Sequence, residues 1–170
     1  MIVKSHLLSG AGNTFHISYG VPPASEEIRK RISVEFCKTF KADGFIFLES
    51  INGGFRWEFY NNDGSRAEMC GNATRCIGYY ARNILKSDLK EWILQTTAGA
   101  IRICGLSEEL FRIEMTSVQM KNTRHGFWVD TGVPHLVIEK KDFQADEELR
   151  DFARALRNHP DFLDYLNYKN

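Results

Sequence analysis

The feature that most constrains the fold is an apolar, helix-like stripe that lies between two groups of strand-like segments. Its apolar residues recur at three- and four-residue spacing, as on one face of an α-helix: Ala73, Ile77, Tyr80, Ala81, Ile84 and Leu85. Such a helix must be buried, and a curved sheet wrapped around it would bury it. The sequence therefore predicts an α+β fold, in which a curved, mostly antiparallel sheet encloses a central helix.

Turn signals and short apolar runs predict the other elements of this region. Strands are predicted at residues 2–8, 15–19, 45–48, 55–59, 91–96, 100–104 and 110–115. Glycine-rich turns at residues 9–13 and 52–54 join neighbouring strands into hairpins. A peripheral helix is predicted to begin after Ser25, because Ser25 can cap it and Glu26 and Glu27 suit the positive end of its dipole. Ile28, Ile32 and Phe36 would form its packing face.

The polar stretch at residues 119–126 predicts a domain boundary. We expect one domain at residues 1–118 and the start of a second, incomplete domain at residues 119–170. Strands at residues 127–130 and 135–138 and a helix from Asp146 are predicted for the second domain. Its aromatic tail, residues 162–167, resembles the beginning of a further strand.

The amino-acid composition limits the classes of molecule that this chain is expected to bind. Lys plus Arg equals Asp plus Glu, 22 against 22, and no basic run occurs, so nucleic acid and anionic membranes are not expected partners. No apolar stretch approaches the roughly 20 residues that span a bilayer, and the first residues do not resemble a signal peptide. The four cysteines are widely spaced, which predicts free thiols in the cytoplasm and neither a disulfide framework nor a metal site.

Cys70 is the strongest chemical candidate in the sequence. The turn signal Asn-Asn-Asp-Gly-Ser at residues 61–65 precedes it, and Gly71 and Asn72 lead from it into the central helix. Unpaired N–H groups and the helix dipole stabilise an anion at such a position. A thiol there can have a pKa well below its usual value of about 8.5 and act as a base or nucleophile. The alternative is that Cys70 is a small buried hydrophobic residue, which is the interpretation that we give to Cys76.

Residues 60–76 also resemble the segment that carries the first catalytic cysteine of the diaminopimelate epimerases, in which Asn-x-Asp-Gly-Ser precedes Cys-Gly-Asn-x-x-Arg. Three further segments agree with the family in the same order. They are Ser-Gly-Ala-Gly-Asn-Thr-Phe at residues 9–15, Lys-Ala-Asp-Gly-Phe at 41–45 and Thr-Gly-Val-Pro-His at 131–135. The resemblance implies two similar halves, each with a helix inside a barrel-like sheet, and an active site between the halves.

The resemblance assigns roles to particular residues of this sequence. It implies that Cys70 is catalytic and that His135 supports the site. Substrate contacts are implied for Asn13, Asn61, Gly71, Asn72 and Asn167. Two positions depart from the family's pattern: Val133 stands where Asn is common, and Ala73 stands where Gly is common. Val133 leaves the identity of the substrate open.

The implied reaction is the interconversion of LL- and meso-diaminopimelate in lysine biosynthesis, without pyridoxal or any other cofactor. One thiolate removes the α-proton, and a thiol on the opposite face returns one. In the family the second cysteine lies in a Cys-Gly-x-Gly segment, and Cys37, Cys76 and Cys104 do not have these neighbours. We therefore expect a truncated chain that does not epimerise its substrate alone.

Three hypotheses about function follow from these observations. The first is a diaminopimelate epimerase polypeptide, whose partner is a small amino acid. The second is a related cofactor-independent racemase or isomerase with the same fold. The third is a non-catalytic binding fragment. A homodimer is one of the assemblies that the sequence leaves open.

Overall fold

A large sheet that curls around a helix forms the first part of the molecule. The computed structural model describes residues 4–115, 117–139 and 146–160. Contacts between residues divide the chain into two compact units, Met1–Thr116 and Ser117–Asn170. In these ranges, no helix has the length and apolar character that a membrane span requires.

The first unit contains eight strands and two helices within its described residues. In chain order they are β1 (His6–Gly10), β2 (Asn13–Tyr19), α1 (Glu26–Phe40), β3 (Gly44–Ile51), β4 (Gly54–Asn61), β5 (Arg66–Ala67), α2 (Gly71–Tyr79), β6 (Glu91–Thr96), β7 (Gly99–Gly105) and β8 (Phe111–Glu114). The strand order is β1-β2-β3-β4-β6-β7-β8, and β5 pairs with β4. The predicted α+β fold with a sheet around a central helix is confirmed.

Most strand pairs are antiparallel, as predicted, including the β1–β2 and β3–β4 hairpins. However, β2 pairs with β3 and β4 pairs with β6 in parallel. A parallel pair needs a long crossover, and here α1 and α2 lie within these two connections. Each helix therefore covers a face of the sheet.

The burial of strand β3 explains its uninterrupted apolar sequence. Phe45, Ile46, Phe47 and Leu48 are all at most 2% exposed. Phe45 and Phe47 pack with Cys37 and Tyr60 beneath Ile32 and Phe36 of α1. Because side chains alternate along a strand, Ile46 and Leu48 point to the opposite face. A strand that is covered on both faces has a continuous apolar run.

The central helix α2 fills the concave side of the sheet and contacts β1, β2, β7 and β8. Its buried residues include Ala73, Thr74, Cys76, Ile77 and Gly78. A Cβ atom on Gly78 would lie 2.7 Å from Phe111 Cδ1, so the helix and β8 are in close contact there. Beyond Tyr79 the helix continues as a π-helical turn, Tyr80–Ile84. This wider winding leaves Ile84 and Leu85 only half-buried, although the sequence places them on the apolar stripe.

Helix α1 covers the outer face of the sheet. Its predicted cap is confirmed, since the Ser25 hydroxyl accepts a hydrogen bond from the Ile28 N–H at 3.4 Å. Arg29 anchors the helix through an ion pair of 2.9 Å with Glu58 and a hydrogen bond of 3.3 Å to the Tyr60 hydroxyl. These bonds tie α1 to β4.

Within its described residues, the second unit contains a three-stranded antiparallel sheet and a helix. Its elements are β9 (Gln119–Thr123), β10 (Gly126–Asp130), β11 (Pro134–Val137) and α3 (Asp146–Arg157). The predicted strands β10 and β11 and the helix from Asp146 are confirmed. The polar stretch at 119–126 contains β9, whose first four residues are exposed, so no apolar alternation marks this strand. Residues 162–167, where a further strand is predicted, lie outside the described residues.

His16 is a histidine buried among aromatic side chains of α1 and β3. His16 is 5% exposed and packs against Phe36, Phe40 and Phe45. Its Nδ1 shares a hydrogen bond of 3.0 Å with Ser5 Oγ, whereas Nε2 has no hydrogen-bond partner among the described residues. Burial lowers the pKa of His16 below its ordinary value of 6.5.

We predict that the free energy of unfolding decreases as the pH falls below about 6.5. Between the pKa of folded His16 and that of the unfolded chain, the unfolded state binds more protons, so protonation favours unfolding. In the His16→Phe variant this component of the pH dependence should disappear, whereas a variant of the exposed His135, His135→Gln, should retain it. Urea unfolding at pH 7.5 and pH 5.5, followed by tryptophan fluorescence, measures the effect. An unchanged pH dependence in His16→Phe would contradict it.

Candidate functional site

Three of the segments singled out from the sequence meet at one edge of the large sheet. Strand β2 begins at Asn13, β3 begins at Gly44 and β4 ends at Asn61. Gly44 is paired with Phe15 on one side and with Asn61 on the other. The main chain of Asp43 completes this edge, because its N–H donates to Thr14 O at 2.9 Å and its carbonyl accepts from Asn62 N at 3.1 Å.

The β1–β2 turn brings this edge against the start of α2. Ala11 and Gly12 occupy the turn with φ angles of 50° and 90°, as a two-residue hairpin of type I′ requires. The adjacent Gly10 lies so close to α2 that a Cβ atom would be 2.6 Å from Asn72 O and 3.0 Å from Cys76 Sγ. Glycine is therefore needed at position 10, and it places Asn13 beside the first turn of α2.

Cys70 is the N-cap residue of α2, so its predicted position at a helix N-terminus is confirmed. It has an extended backbone, with φ −150° and ψ 117°, and makes no side-chain capping bond. Its carbonyl accepts hydrogen bonds of 2.9 Å from both the N–H and the hydroxyl of Thr74, which is fully buried. The backbone of Cys70 is thus fixed, while its side chain caps none of the N–H groups of the first helical turn.

The four cysteines are all free thiols, but their exposure differs. Cys37, Cys76 and Cys104 are 2%, 3% and 4% exposed, whereas Cys70 is half-buried. Burial raises the pKa of Cys37 and that of Cys76 to about 11. The interpretation of Cys76 as a core residue is confirmed, and Cys70 is the accessible thiol of the four.

A chain of hydrogen bonds links the helix to the edge of the sheet. Arg75 Nη1 donates to Asn72 Oδ1 at 2.7 Å, and Asn72 Nδ2 donates to Asn13 Oδ1 at 2.9 Å. Asn13 Nδ2 in turn donates to Asp43 Oδ2 at 3.3 Å. The structure therefore brings Asn13, Gly71, Asn72 and Cys70 together.

Asn61 lies on the same edge of the sheet and is held by the predicted turn. Its Nδ2 donates to Ser65 Oγ at 2.9 Å, and its carbonyl accepts from Gly64 N at 3.0 Å. The Asp63 carboxylate accepts from the hydroxyl of Ser65 at 2.6 Å and from its N–H at 2.8 Å. These bonds hold the pKa of Asp63 below its ordinary value.

Gly71 faces open space. Apart from its chain neighbours and the backbone of its own helix turn, a Cβ atom built on it would have no heavy atom of the described residues within 4 Å, unlike one on Gly10 or Gly78. The absence of a side chain at Gly71 is therefore not explained by packing within the described residues. It leaves the N–H groups of the first turn of α2 open to a bound molecule.

The remaining predicted site residues lie in the second unit. His135 is exposed on β11, opposite Val129 of β10. Val133 lies in the half-buried turn before it, where Gly132 has a φ angle of 101° and its N–H donates to Asp130 Oδ1 at 2.7 Å. Asn167 lies outside the described residues.

Sequence reasoning missed Asp43 and Arg75 as members of the site. Both belong to segments that resemble the family, but only their position in those motifs could have drawn attention to them. Within the described residues, no group of three or more His, Cys, Asp or Glu side chains could hold a metal ion. The described residues of the site offer one thiol, backbone N–H groups and carboxamides, with the charged side chains of Asp43 and Arg75 bonded to the carboxamides.

The matching family model and the curated relatives of similar sequence agree on one family. The family model for diaminopimelate epimerase matches residues 19–121. The chain is 32% identical to a diaminopimelate epimerase of Campylobacter jejuni subsp. doylei, over 98% of this chain and 71% of that protein. It is 30% identical to a diaminopimelate epimerase of Chlamydia muridarum, over 95% of this chain and 62% of that protein. The chain thus spans about two thirds of the length of these relatives.

Solved structures support the fold. The chain superposes on the phenazine biosynthesis protein of Bacillus anthracis, a member of the PhzF family, with a TM-score of 0.59 and 18% identity. The superposition covers 76% of this chain and 52% of that protein. At this identity the likeness concerns the arrangement of strands and helices alone.

The exposure of the thiols predicts an order of chemical reactivity. At pH 7.5, iodoacetamide should modify Cys70 at least tenfold faster than the other cysteines of the folded chain. Burial blocks access to the others, and with a pKa of about 11 Cys37 and Cys76 are thiolates in roughly one molecule in 3,000 at this pH. Peptide mass spectrometry after timed alkylation measures the four rates. Urea-unfolded chain is the control, in which the rates should converge, and equal labelling of Cys37 and Cys70 in the folded chain would contradict the prediction.

Proposed function

Because the chain belongs to the diaminopimelate epimerase family, we propose that Cys70 is a base that acts on the α-carbon of diaminopimelate. The accessible thiol at the uncapped start of α2 is the observation that carries this proposal. In the proposed step the thiolate takes the α-proton, the sulfur becomes a thiol, and the electron pair of the C–H bond remains on the substrate. Return of a proton to the opposite face would invert the carbon.

The difficulty of this step is the weak acidity of the α-carbon. Charge that develops on the substrate must be stabilised by fixed donors, and N–H groups at a helix N-terminus are suited to this. The open space at Gly71 gives a ligand access to these groups. In the proposal, Asn13, Asn61 and Asn72 bind the polar groups of the amino acid, and the roles that the family resemblance implies for His135 and Asn167 stay predictions.

The three buried cysteines bear on the second half of the reaction. Cys37, Cys76 and Cys104 are each at most 4% exposed, so none of them could reach a substrate that Cys70 contacts. We propose that the acid on the opposite face is not one of these thiols. Residues 1–170 alone would then exchange the α-proton with solvent without inverting the carbon.

The proposal includes the setting of the reaction. The proposed reaction needs no cofactor. We propose that it belongs to lysine biosynthesis and takes place in the cytoplasm. A homodimer is one assembly that the proposal allows. We also propose a domain of residues 1–118 that carries Cys70 and a second domain from residue 119. The division of the chain contacts at Thr116 and Ser117 supports a boundary in this region.

Val133 favours a second candidate function. It stands in the turn before His135, where the family commonly has a polar Asn. An apolar side chain there would suit an amino acid that lacks the second charged end of diaminopimelate. The candidate is a cofactor-independent racemase for such an amino acid.

Exchange of the α-proton tests the proposed function. In deuterated water, the chain should introduce deuterium at the α-carbon of LL- or meso-diaminopimelate, and Cys70→Ala should abolish this exchange. Cys37→Ala, which removes a buried thiol, should retain it. Mass spectrometry with chiral separation measures exchange and inversion separately.

The outcomes distinguish the candidates. Exchange with retention of configuration fits a single base, whereas inversion would show that the chain supplies both. Exchange of another amino acid in a panel, but not of diaminopimelate, would favour the racemase. Undiminished exchange in Cys70→Ala would contradict the role of this thiol.

Gly71→Ala separates ligand binding from folding. The added methyl group meets no atom of another described part of the chain within 4 Å, and alanine is favoured over glycine within helices by up to about 1 kcal/mol. The melting temperature should therefore stay the same or rise. The Kd for meso-diaminopimelate should increase about tenfold or more, because the methyl group occupies the approach to the N–H groups.

Isothermal titration calorimetry and thermal melting measure these two effects. Gly78→Ala is the opposite control, since its Cβ atom would lie 2.7 Å from Phe111 Cδ1 and should destabilise the fold. If Gly71→Ala binds the substrate as tightly as the unaltered chain, a ligand does not approach α2 at this point.

A further inference from the structure

We propose that Asp43 and Arg75 are positioning residues, which fix the carboxamide groups of Asn13 and Asn72 in a single orientation. This inference rests on the proposed function of the site as an amino-acid site. It concerns two residues that do not themselves need to touch the ligand. Its basis is the one-way hydrogen-bond chain from Arg75 through Asn72 and Asn13 to Asp43.

The two charged ends decide the direction of the chain. A carboxamide can rotate by half a turn and exchange its oxygen and nitrogen, but a guanidinium group can only donate and an ionised carboxylate can only accept. Arg75 therefore holds the oxygen of Asn72 towards itself at 2.7 Å, and the nitrogen of Asn72 then faces the oxygen of Asn13 at 2.9 Å. The nitrogen of Asn13 is left to face Asp43 at 3.3 Å.

Reversing both carboxamides would oppose like groups at the two charged ends of the hydrogen-bond chain, although the Asn72–Asn13 link could still form. It would place N–H against N–H at Arg75 and oxygen against oxygen at Asp43. Hydrogen bonds to charged groups are also stronger than those between neutral groups. Arg75 and Asp43 therefore fix the hydrogen-bond chain from both ends. A change at Arg75 affects the carboxamide of Asn13, and a change at Asp43 affects that of Asn72.

Asp43 is well placed to be the fixed end. Its Oδ2 also accepts the Thr14 N–H at 2.7 Å and the Thr14 hydroxyl at 3.3 Å. Its main chain bonds to Thr14 and to Asn62, next to Asn61. Asp43 thus connects the start of β2, the start of β3 and the turn after β4, and the hydrogen-bond chain extends this connection to α2.

The fixed orientation determines what the two asparagines offer a ligand. Each carboxamide nitrogen carries two hydrogens, and the chain uses one of them. A second N–H therefore remains on Asn13 and on Asn72, close to the N–H groups of the first turn of α2. An array of hydrogen-bond donors fits a carboxylate group. Because the two carboxamides are already fixed in the ligand-free chain, less conformational entropy is lost when a ligand binds.

Nuclear magnetic resonance of the ligand-free chain tests the orientation directly. The variants are Asp43→Asn, Arg75→Met and Arg75→Lys, with Asp88→Asn and Arg31→Met as matched changes at exposed positions. We expect Arg75→Met to shift the Asn13 side-chain amide signals, although Arg75 bonds to Asn72, and Asp43→Asn to shift those of Asn72. Arg75→Lys keeps a donor-only end and should stay close to the unaltered spectrum.

Binding measurements then test whether the hydrogen-bond chain contributes to ligand affinity. Asp43→Asn and Arg75→Met should each raise the Kd for meso-diaminopimelate about tenfold, and the double variant should also show about tenfold rather than a hundredfold change. The rate of Cys70 alkylation should remain within about twofold of that of the unaltered chain. This rate would change if the variants disturbed the fold around the helix start.

The possible results separate this inference from the proposed function. Unshifted Asn13 signals in Arg75→Met, or additive effects on Kd, would overturn the inference while leaving the proposed function intact. Propagated shifts in a chain that does not bind diaminopimelate would reject the substrate but retain the positioning chain. Because Arg75 is exposed, Arg75→Met keeps the test decisive even if Asp43→Asn fails to fold.

Discussion

The structure depends on the close contact between the β1–β2 turn and the first turn of α2. Gly10 leaves no room for a side chain between the two backbones, and this contact sets the distance between Asn13 and Asn72. The helix is itself held inside the curled sheet by fully buried residues such as Ala73 and Ile77. A small movement of α2 would therefore disturb the packing of the core as well as the site. The rigidity of the fold and the geometry of the site have the same physical origin.

The start of α2 is an exception to ordinary helix capping. Ser, Thr, Asp and Asn are favoured at this position, and their loss typically costs about 1 kcal/mol, yet here the N-cap residue is a cysteine that makes no capping bond. Burial of the helix and the two hydrogen bonds from Thr74 to the Cys70 carbonyl offset this loss. Helix α1, which is capped by Ser25, shows the ordinary solution in the same chain. The uncapped N–H groups of α2 are thus kept available at some cost in stability, which is typical of a binding site.

The sequence predicts those parts of the fold that depend on local patterns. The apolar stripe of α2, the glycine turns of the hairpins, the cap at Ser25 and the position of Cys70 all follow from neighbouring residues. The parallel pairs β2–β3 and β4–β6 do not, because pairing across a crossover depends on residues far apart in the chain. Strand β9 is missed because its exposed side chains show no alternation. The bonds between Asn13 and Asn72 join residues 59 positions apart, so only the folded chain shows that Arg75 and Asp43 anchor them.

The four cysteines differ in exposure, and this difference decides which thiol can act on a bound molecule. Three thiols lie in the core, and burial raises the pKa of Cys37 and Cys76 to about 11, so the fold suppresses their reactivity. Cys76 lies only two turns of helix beyond Cys70, yet its sulfur is against Gly10 whereas Cys70 is half-buried. The helix therefore leaves the Cys70 thiol accessible beside its N–H donors and buries the Cys76 thiol. For the proposed reaction this arrangement fixes the face from which a proton can leave, because an N–H array holds the carboxylate and a single sulfur is accessible. Inversion at carbon needs an acid on the opposite face, and the buried thiols of this chain are not in a position to provide it.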